Sequence, residues 1–255
     1  TRVQCQACPV GTYSAGSATV CTPCAGNLNS PAGSSVCSTS YPVFALVAEW
    51  SGGAVRKIDI GTNSVSTVGG LSQSFGATAV EFFSDGNSVL YATRYSVSIL
   101  SLVSLTSTLV AGSGSAGLVN GVGSAASFYY VCDVKLFGSD LFAMIADSSN
   151  HAIRKINLTD NSVVTLAGNG TSFYAEGTGN KIGLMSPQGV CISADETFAV
   201  ISEGVGNRIR KITLPAGGES ISSLIAGSTA GLSGALDGTG TCLLYTSPSP
   251  RDAHE

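Results

Sequence analysis

An all-β fold assembled from repeated four-stranded units is what this sequence predicts, and three observations predict it. The first is repetition. Ala54-Val-Arg-Lys-Ile-Asp-Ile60 returns as Ala152-Ile-Arg-Lys-Ile-Asn-Leu158 and as Arg208-Ile-Arg-Lys-Ile-Thr-Leu214, with a worn copy at Val97-Ser-Ile-Leu-Ser-Leu102. Measured at Val55, Val97, Ile153 and Ile209 the steps are 42, 56 and 56 residues, a period that marks a repeat architecture. The second is that each copy lies among short runs rich in β-branched and aromatic residues and punctuated by Gly, Asn, Ser and Asp, with no competing amphipathic helix. The third is composition. Charged residues make up 11% of the chain and mean hydropathy is +0.32, as expected when strands are buried on both faces.

Residues 1–40 stand apart from these repeats. Cys5, Cys8, Cys21, Cys24 and Cys37 follow C-x2-C-x12-C-x2-C-x12-C, a 16-residue period with almost nothing between the cysteines to form a core. Covalent links must then supply the stability. Paired C-x2-C knuckles also hold zinc. The continuing period, the odd fifth cysteine and the lack of spare His or Cys ligands favour disulfides.

The repeats fill residues 41–241. An apolar run ending in a polar or acidic residue precedes each heptapeptide copy: 43–49, 89–93, 141–147 and 198–203. Another follows each: 65–70, 107–112, 163–168 and 222–227. Leading strands are expected at 79–85, 133–139 and 189–195. Four strands per repeat at this period is the sequence form of a β-propeller blade. The first unit supplies three strands, so the segment holds nearly four blades.

Within each unit an acid and a base are seven residues apart across a predicted hairpin: Glu49 and Arg56, Asp147 and Arg154, Glu203 and Arg210. In the second unit Thr93 and Ser98 replace both partners together. These read as cross-strand ion pairs, worth a few tenths to about 1 kcal/mol each if exposed. The functional alternative is a basic ring of Arg56, Lys57, Arg154, Lys155, Arg210 and Lys211 gripping phosphates. With 12 Lys plus Arg against 16 Asp plus Glu, no positive field would steer nucleic acid to it.

Asp147-Ser-Ser-Asn-His-Ala-Ile-Arg-Lys-Ile-Asn-Leu158, with Thr165-Leu-Ala-Gly-Asn-Gly170 and Ser186-Pro-Gln-Gly-Val190, resembles an NHL repeat, and the Gly-rich stretch 227–240 resembles that family's connector. The resemblance implies an NHL-type propeller that closes with six blades, of which this chain would carry about four. Residues 5–37 resemble the cysteine-rich repeats of ephrin and tumour-necrosis-factor receptor ectodomains. The register that suits the repeat joins Cys8 to Cys21 and Cys24 to Cys37, leaving Cys5 for a partner upstream, although spacing alone leaves the connectivity open. One back-translation of 242–252 resembles a read-through sequencing adapter, so residues 242–255 are expected to be a non-native tail that interrupts the repeat grammar.

Catalytic sets are sparse. His254 lies in that tail, and His151 falls in a predicted turn, where a surface residue is expected. Asp85, Asp133 and Asp195, imaginable at a calcium site, are read as hairpin caps. Cys132 and Cys191 are read as small buried apolar residues. No catalytic, metal-binding or cofactor-binding residue is assigned and no cofactor is expected. Asn157-Leu-Thr159 and Asn169-Gly-Thr171 are N-glycosylation acceptors. The expected protein is a non-enzymatic extracellular or cell-surface interaction module that binds a protein or glycan through its propeller loops. Self-association and membrane anchoring outside this segment remain open. The competing class is a metal-dependent propeller hydrolase or lyase.

Overall fold

The computed structural model describes residues 12–13, 22–23, 44–50, 53–70, 76–215 and 218–233. The five N-terminal cysteines and the tail 242–255 lie outside the described residues. Strands β1 (Thr12–Tyr13) and β2 (Thr22–Pro23) pair antiparallel. Strands β3 (Phe44–Glu49), β4 (Ala54–Asp59) and β5 (Ser64–Gly70) form a three-stranded sheet. The second repeat gives β6 (Ala79–Phe82), β7 (Ser88–Ala92), β8 (Val97–Ser101) and β9 (Ser107–Ala111), hydrogen-bonded in chain order.

The third and fourth repeats each gain a strand that the repeat pattern does not announce. Strand β10 (Gly121–Val122) comes from the connector and pairs with the outermost strand of the sheet it precedes. That sheet comprises β11 (Val131–Phe137), β12 (Phe142–Asp147), β13 (Ala152–Asn157) and β14 (Ser162–Ala167). In the same way β15 (Gly177–Thr178) joins β16 (Pro187–Ile192), β17 (Phe198–Glu203), β18 (Arg208–Thr213) and β19 (Ile221–Gly227). The connectors are thus partly ordered by backbone pairing.

Two compact units divide the chain, residues 1–45 with 57–66, and 46–56 with 67–255. Within the second unit the core follows from the pleat. Side chains alternate across a strand with period two. Ala143 and Ile145 of β12 therefore join Leu90, Ala92, Val97 and Val110 of the second repeat. Their neighbours Met144 and Ala146 join Val190, Ala199, Ile201 and Ile212 of the fourth. Strand β7 divides likewise, with Leu90 in the first cluster and Val89 and Tyr91 in another with Val55 and Val68. Strands β7 and β12 are thus buried from both sides, which helps to account for the scarcity of charge.

The recurring Ala-Gly pair after the fourth strand has a steric cause. Gly112, Gly168 and Gly227 have φ of 118°, 91° and 96°. A Cβ at Gly168 would lie 2.2 Å from the carbonyl oxygen of His151, and one at Gly227 would lie 2.3 Å from that of Asn207. The chain leaves each sheet by passing directly over the turn between the second and third strands, and only glycine fits there.

Candidate functional site

The acid–base pairs form networks inside the sheets rather than links on their surface. Arg154 and Arg210 are 0% exposed and are among the largest fully buried side chains. Arg154 donates from Nη1 to Asp147 Oδ2 at 2.9 Å and to the Ser127 carbonyl at 3.1 Å. From Nη2 it donates to the Val119 carbonyl at 2.8 Å and to Asn120 Oδ1 at 2.9 Å. Its guanidinium also lies 5.3 Å from the Phe128 ring centroid. Arg210 repeats the arrangement, donating to the Gly183 carbonyl (3.0 Å), the Ala175 carbonyl (2.9 Å), Glu203 Oε1 (3.3 Å) and Ser222 Oγ. Glu203 accepts from Arg208 as well, at 3.3 Å.

The expectation of exposed pairs worth at most about 1 kcal/mol therefore describes only the first. Glu49 and Arg56 are 3.8 Å apart and half-exposed. The reason for the difference lies in the connectors. Residues 117–128 and 173–184 fold over the third and fourth sheets, cover the arginines and offer them backbone carbonyls. Buried in this way, Arg154 and Arg210 cannot grip phosphates, and the basic-ring alternative falls.

Other expectations change too. Asp85 and Asp195 cap turns, accepting from the backbone of Asn87 and Ser88 and of Thr197. Asp133 does not. It lies on β11, half-buried, and accepts the Val190 N–H of the next sheet at 2.9 Å, and burial raises its pKa. His151 is in the expected turn but half-buried, with Nδ1 accepting the Ser186 N–H at 3.0 Å, and burial lowers its pKa. Cys191 is exposed and Cys132 half-buried, contrary to a core role for either. The pleat explains Cys191, because its neighbour Val190 takes the inward position. Asn169 is exposed and Asn157 half-buried. Each accepts from the backbone of the Thr two residues on, at 3.1 and 3.0 Å.

At the end of the sheets where the second strand passes to the third, the structure assembles residues that the repeat pattern did not single out. Trp50, directly after β3, packs against Tyr130 with ring centroids 5.2 Å apart, and Tyr95 stacks on Tyr129 at 6.2 Å. Arg94 lies between them, 4.9 Å from the Trp50 ring, 5.4 Å from Tyr130 and 5.9 Å from Tyr95. Trp50 and Tyr129 are each 43% exposed. The two tyrosines are held by backbone. Tyr130, at φ 64°, donates to the Arg94 carbonyl at 2.8 Å. The Tyr129 N–H donates to Asp147 Oδ1 at 2.8 Å, while the Ser148 and Ser149 N–H groups donate to the carbonyls of Tyr130 and Tyr129. The buried Asp147–Arg154 pair thus also positions the exposed rings.

Burial is the largest influence on the Asp147 carboxyl and pushes its pKa up to about 6, against the Asn150, Tyr129 and Arg154 donors that favour the ionised form. Burial raises the Glu203 carboxyl as well. A sequence signal for the cluster existed. Trp50, Arg94, Ser148 and Gly204 each follow the equivalent acid or Thr of their repeat, so the first two units carry large side chains where the others carry small ones. Among the described residues no group of three His, Cys, Asp or Glu side chains is arranged to hold a metal ion. No helix among them is long and apolar enough to cross a membrane.

Stacked antiparallel sheets of four and five strands, with an aromatic and cationic cluster on the turns at one end, define an all-β protein of the β-propeller type. Solved structures agree on the fold. A structural genomics protein of unknown function from Bacteroides thetaiotaomicron is similar with a TM-score of 0.64 at 16% identity, over 80% of this chain and 50% of its own. An auxiliary nutrient binding protein from the same organism is similar with a TM-score of 0.52 at 20% identity, over 63% of this chain and 42% of its own. A chain of the nidogen/laminin complex is similar with a TM-score of 0.52 at 11% identity, over 72% and 62%. This chain therefore spans less than two thirds of each of these neighbours. No family model and no curated protein matches it.

Proposed function

We propose that this chain is part of an extracellular, non-catalytic interaction module of the NHL-propeller kind, preceded by a disulfide-linked cysteine-rich segment at residues 1–40. The Trp50–Arg94–Tyr95–Tyr129–Tyr130 cluster carries the reading. Trp, Tyr and Arg are the residues that dominate binding energy at protein interfaces, because large rigid rings contribute contact area at low entropic cost. Here a buried framework holds those rings in place before any partner arrives, which lowers the ordering cost of binding. A protein ligand is therefore favoured over a glycan.

The nidogen/laminin complex offers a parallel, since a chain of that complex has this fold. Disulfides among Cys5, Cys8, Cys21, Cys24 and Cys37 and glycans at Asn157 and Asn169 belong to the same proposal. The test is to immobilise the chain, select binders from a displayed peptide library, and measure them against Trp50→Ala and Tyr129→Ala. Loss of at least about tenfold in affinity is expected for each, as for interfacial aromatic anchors. Binders that all tolerate both changes would place the interaction elsewhere. Specific retention on immobilised glycans, and not on peptides, would replace the protein ligand with a sugar.

A further inference from the structure

At the opposite end of the third and fourth sheets there is a cleft that the interaction reading does not use. It has a volume of about 310 Å³ and lies between the turn from β11 to β12 and residues Leu214, Pro215, Gly218 and Ser220, which follow β18. Phe137, Phe142, Leu166, Leu214 and Pro215 wall it, and Lys155 enters it from β13. The Lys155 ammonium lies 3.7 Å from the centroid of Phe142 and 5.6 Å from that of Phe137. Those two rings are 5.4 Å apart and tilted by 35°.

The Lys–Phe stack alone is repeat architecture, because Lys57 lies over Phe44 and Lys211 over Phe198 in the same way. What is particular to the third sheet is the second ring and the open space beside it. The wall is built tightly. Gly138 has φ 63°, and a Cβ there would meet the Phe142 ring at 2.7 Å. Glu196 crosses from the fourth sheet, but its Oε1 accepts the Gly138 N–H at 2.8 Å. Among the described residues no carboxylate forms an ion pair with Lys155. Burial lowers the pKa of this ammonium, and an arriving anion would offset that penalty.

We infer that this cleft is a small-molecule site for an amphipathic monocarboxylate, a short acyl chain or single aromatic ring lying along Phe137, Phe142 and Leu214 with its carboxylate on Lys155. The volume falls at the lower end of the range for ligand pockets, and mostly apolar walls with a few polar groups are the usual composition of such sites; here those are Lys155, Glu196 and Ser220, of which Lys155 is the one cation. The charge selects an acid over an alcohol. The limited volume selects one ring or a short chain over a full-length lipid.

The experiment is titration of the intact chain with 3-phenylpropionate and octanoate, followed by calorimetry and by ligand-observed NMR, alongside the neutral analogue 3-phenylpropan-1-ol. Saturable binding of at least one acid is expected, with the alcohol at least tenfold weaker. Lys155→Met keeps the apolar stem and should weaken the acid at least tenfold while leaving the alcohol unchanged. Leu214→Trp should fill the cleft and abolish both, with the Trp50-end cluster unaffected by ring-current shifts. Absence of saturable binding by either acid would overturn the inference. So would equal affinity for acid and alcohol, or a Lys155→Met protein that binds the acid as well as the parent does.

Discussion

Replacing Arg154 by Ala is expected to destabilise the protein by about 3–5 kcal/mol, the range for removing one member of a buried ion pair. The magnitude follows from what is left behind. Four hydrogen bonds disappear, to Asp147, Ser127, Val119 and Asn120. Asp147, 0% exposed, keeps only the Tyr129 N–H and the Asn150 amide. The Ser127 carbonyl loses its arginine donor in the same step, while the Val119 carbonyl keeps the Ser127 N–H at 3.1 Å. Ile156→Ala, on the same strand and also 0% exposed, should cost about 2–5 kcal/mol through cavity formation. The two therefore become comparable, where an exposed pair worth at most about 1 kcal/mol would place the arginine far below the isoleucine.

Guanidinium unfolding of the intact chain, followed by circular dichroism and by the fluorescence of Trp50, would measure both. The pair Asp147→Ala and Arg154→Ala should be clearly less destabilising together than the sum of the single changes, since the second removal no longer strands a charge. A cost for Arg154→Ala below about 1 kcal/mol, the value for a solvated pair, would refute the reasoning. Additive single changes would refute it equally.

Three further expectations follow from the same features. Gly168→Ala should destabilise by about 1–3 kcal/mol from the left-handed backbone alone, with the clash on His151 added. Gly114→Ala, at φ 78° with no atom within 4 Å of the new Cβ, should cost less, and equal losses in thermal melts would show that the close passage over the turn is not the cause. The raised folded-state pKa of Asp147 fixes a sign for pH. Its stabilising contribution is largest below the unfolded value near 3.8 and declines as pH rises to about 6. The stability advantage of the parent over Asp147→Asn should therefore shrink from pH 4 to pH 6.5 in denaturant titrations, and an advantage that grows over that window would mean the carboxyl is not raised. Finally, peptide mapping of residues 1–40 without reduction should recover linked cysteine peptides. Free thiols at Cys8 and Cys21 with stoichiometric zinc would replace the disulfide assignment.

Strand placement was legible because it depends on local alternation. Residues 141–147 and 198–203 read as strands from their own composition, and β12 and β17 occupy them almost to the residue. The acid–base pairs were legible as pairs for the same reason, since seven residues across a tight turn bring two side chains together. Their burial was not, because it depends on the carbonyls of Val119 and Ser127, brought in from 35 and 27 residues earlier in the chain. Nor was β10, whose Gly121-Val122 dipeptide carries no strand signal and pairs only because the connector is already pinned. Asp133 was misplaced because it opens its run, 133–139, whereas Asp85 and Asp195 close theirs; its carboxylate therefore meets the Val190 N–H of the next sheet and not a turn. The aromatic cluster was only partly legible, because its members come from three separate turns and connectors and only Trp50 and Arg94 share a repeat position, while nothing in the spacing links Tyr129 and Tyr130 to them.

The connectors over the third and fourth sheets are fastened chiefly through their carbonyl oxygens, at Val119, Ser127, Ala175 and Gly183. A carbonyl is the same whichever side chain stands beside it. Most outward-facing side chains of these segments can therefore be exchanged without loosening the attachment, provided the glycines at the sharp bends remain. One rigid scaffold can in this way carry a rim whose recognition chemistry drifts freely between copies of the domain. That freedom makes these connectors the natural place to graft a new specificity.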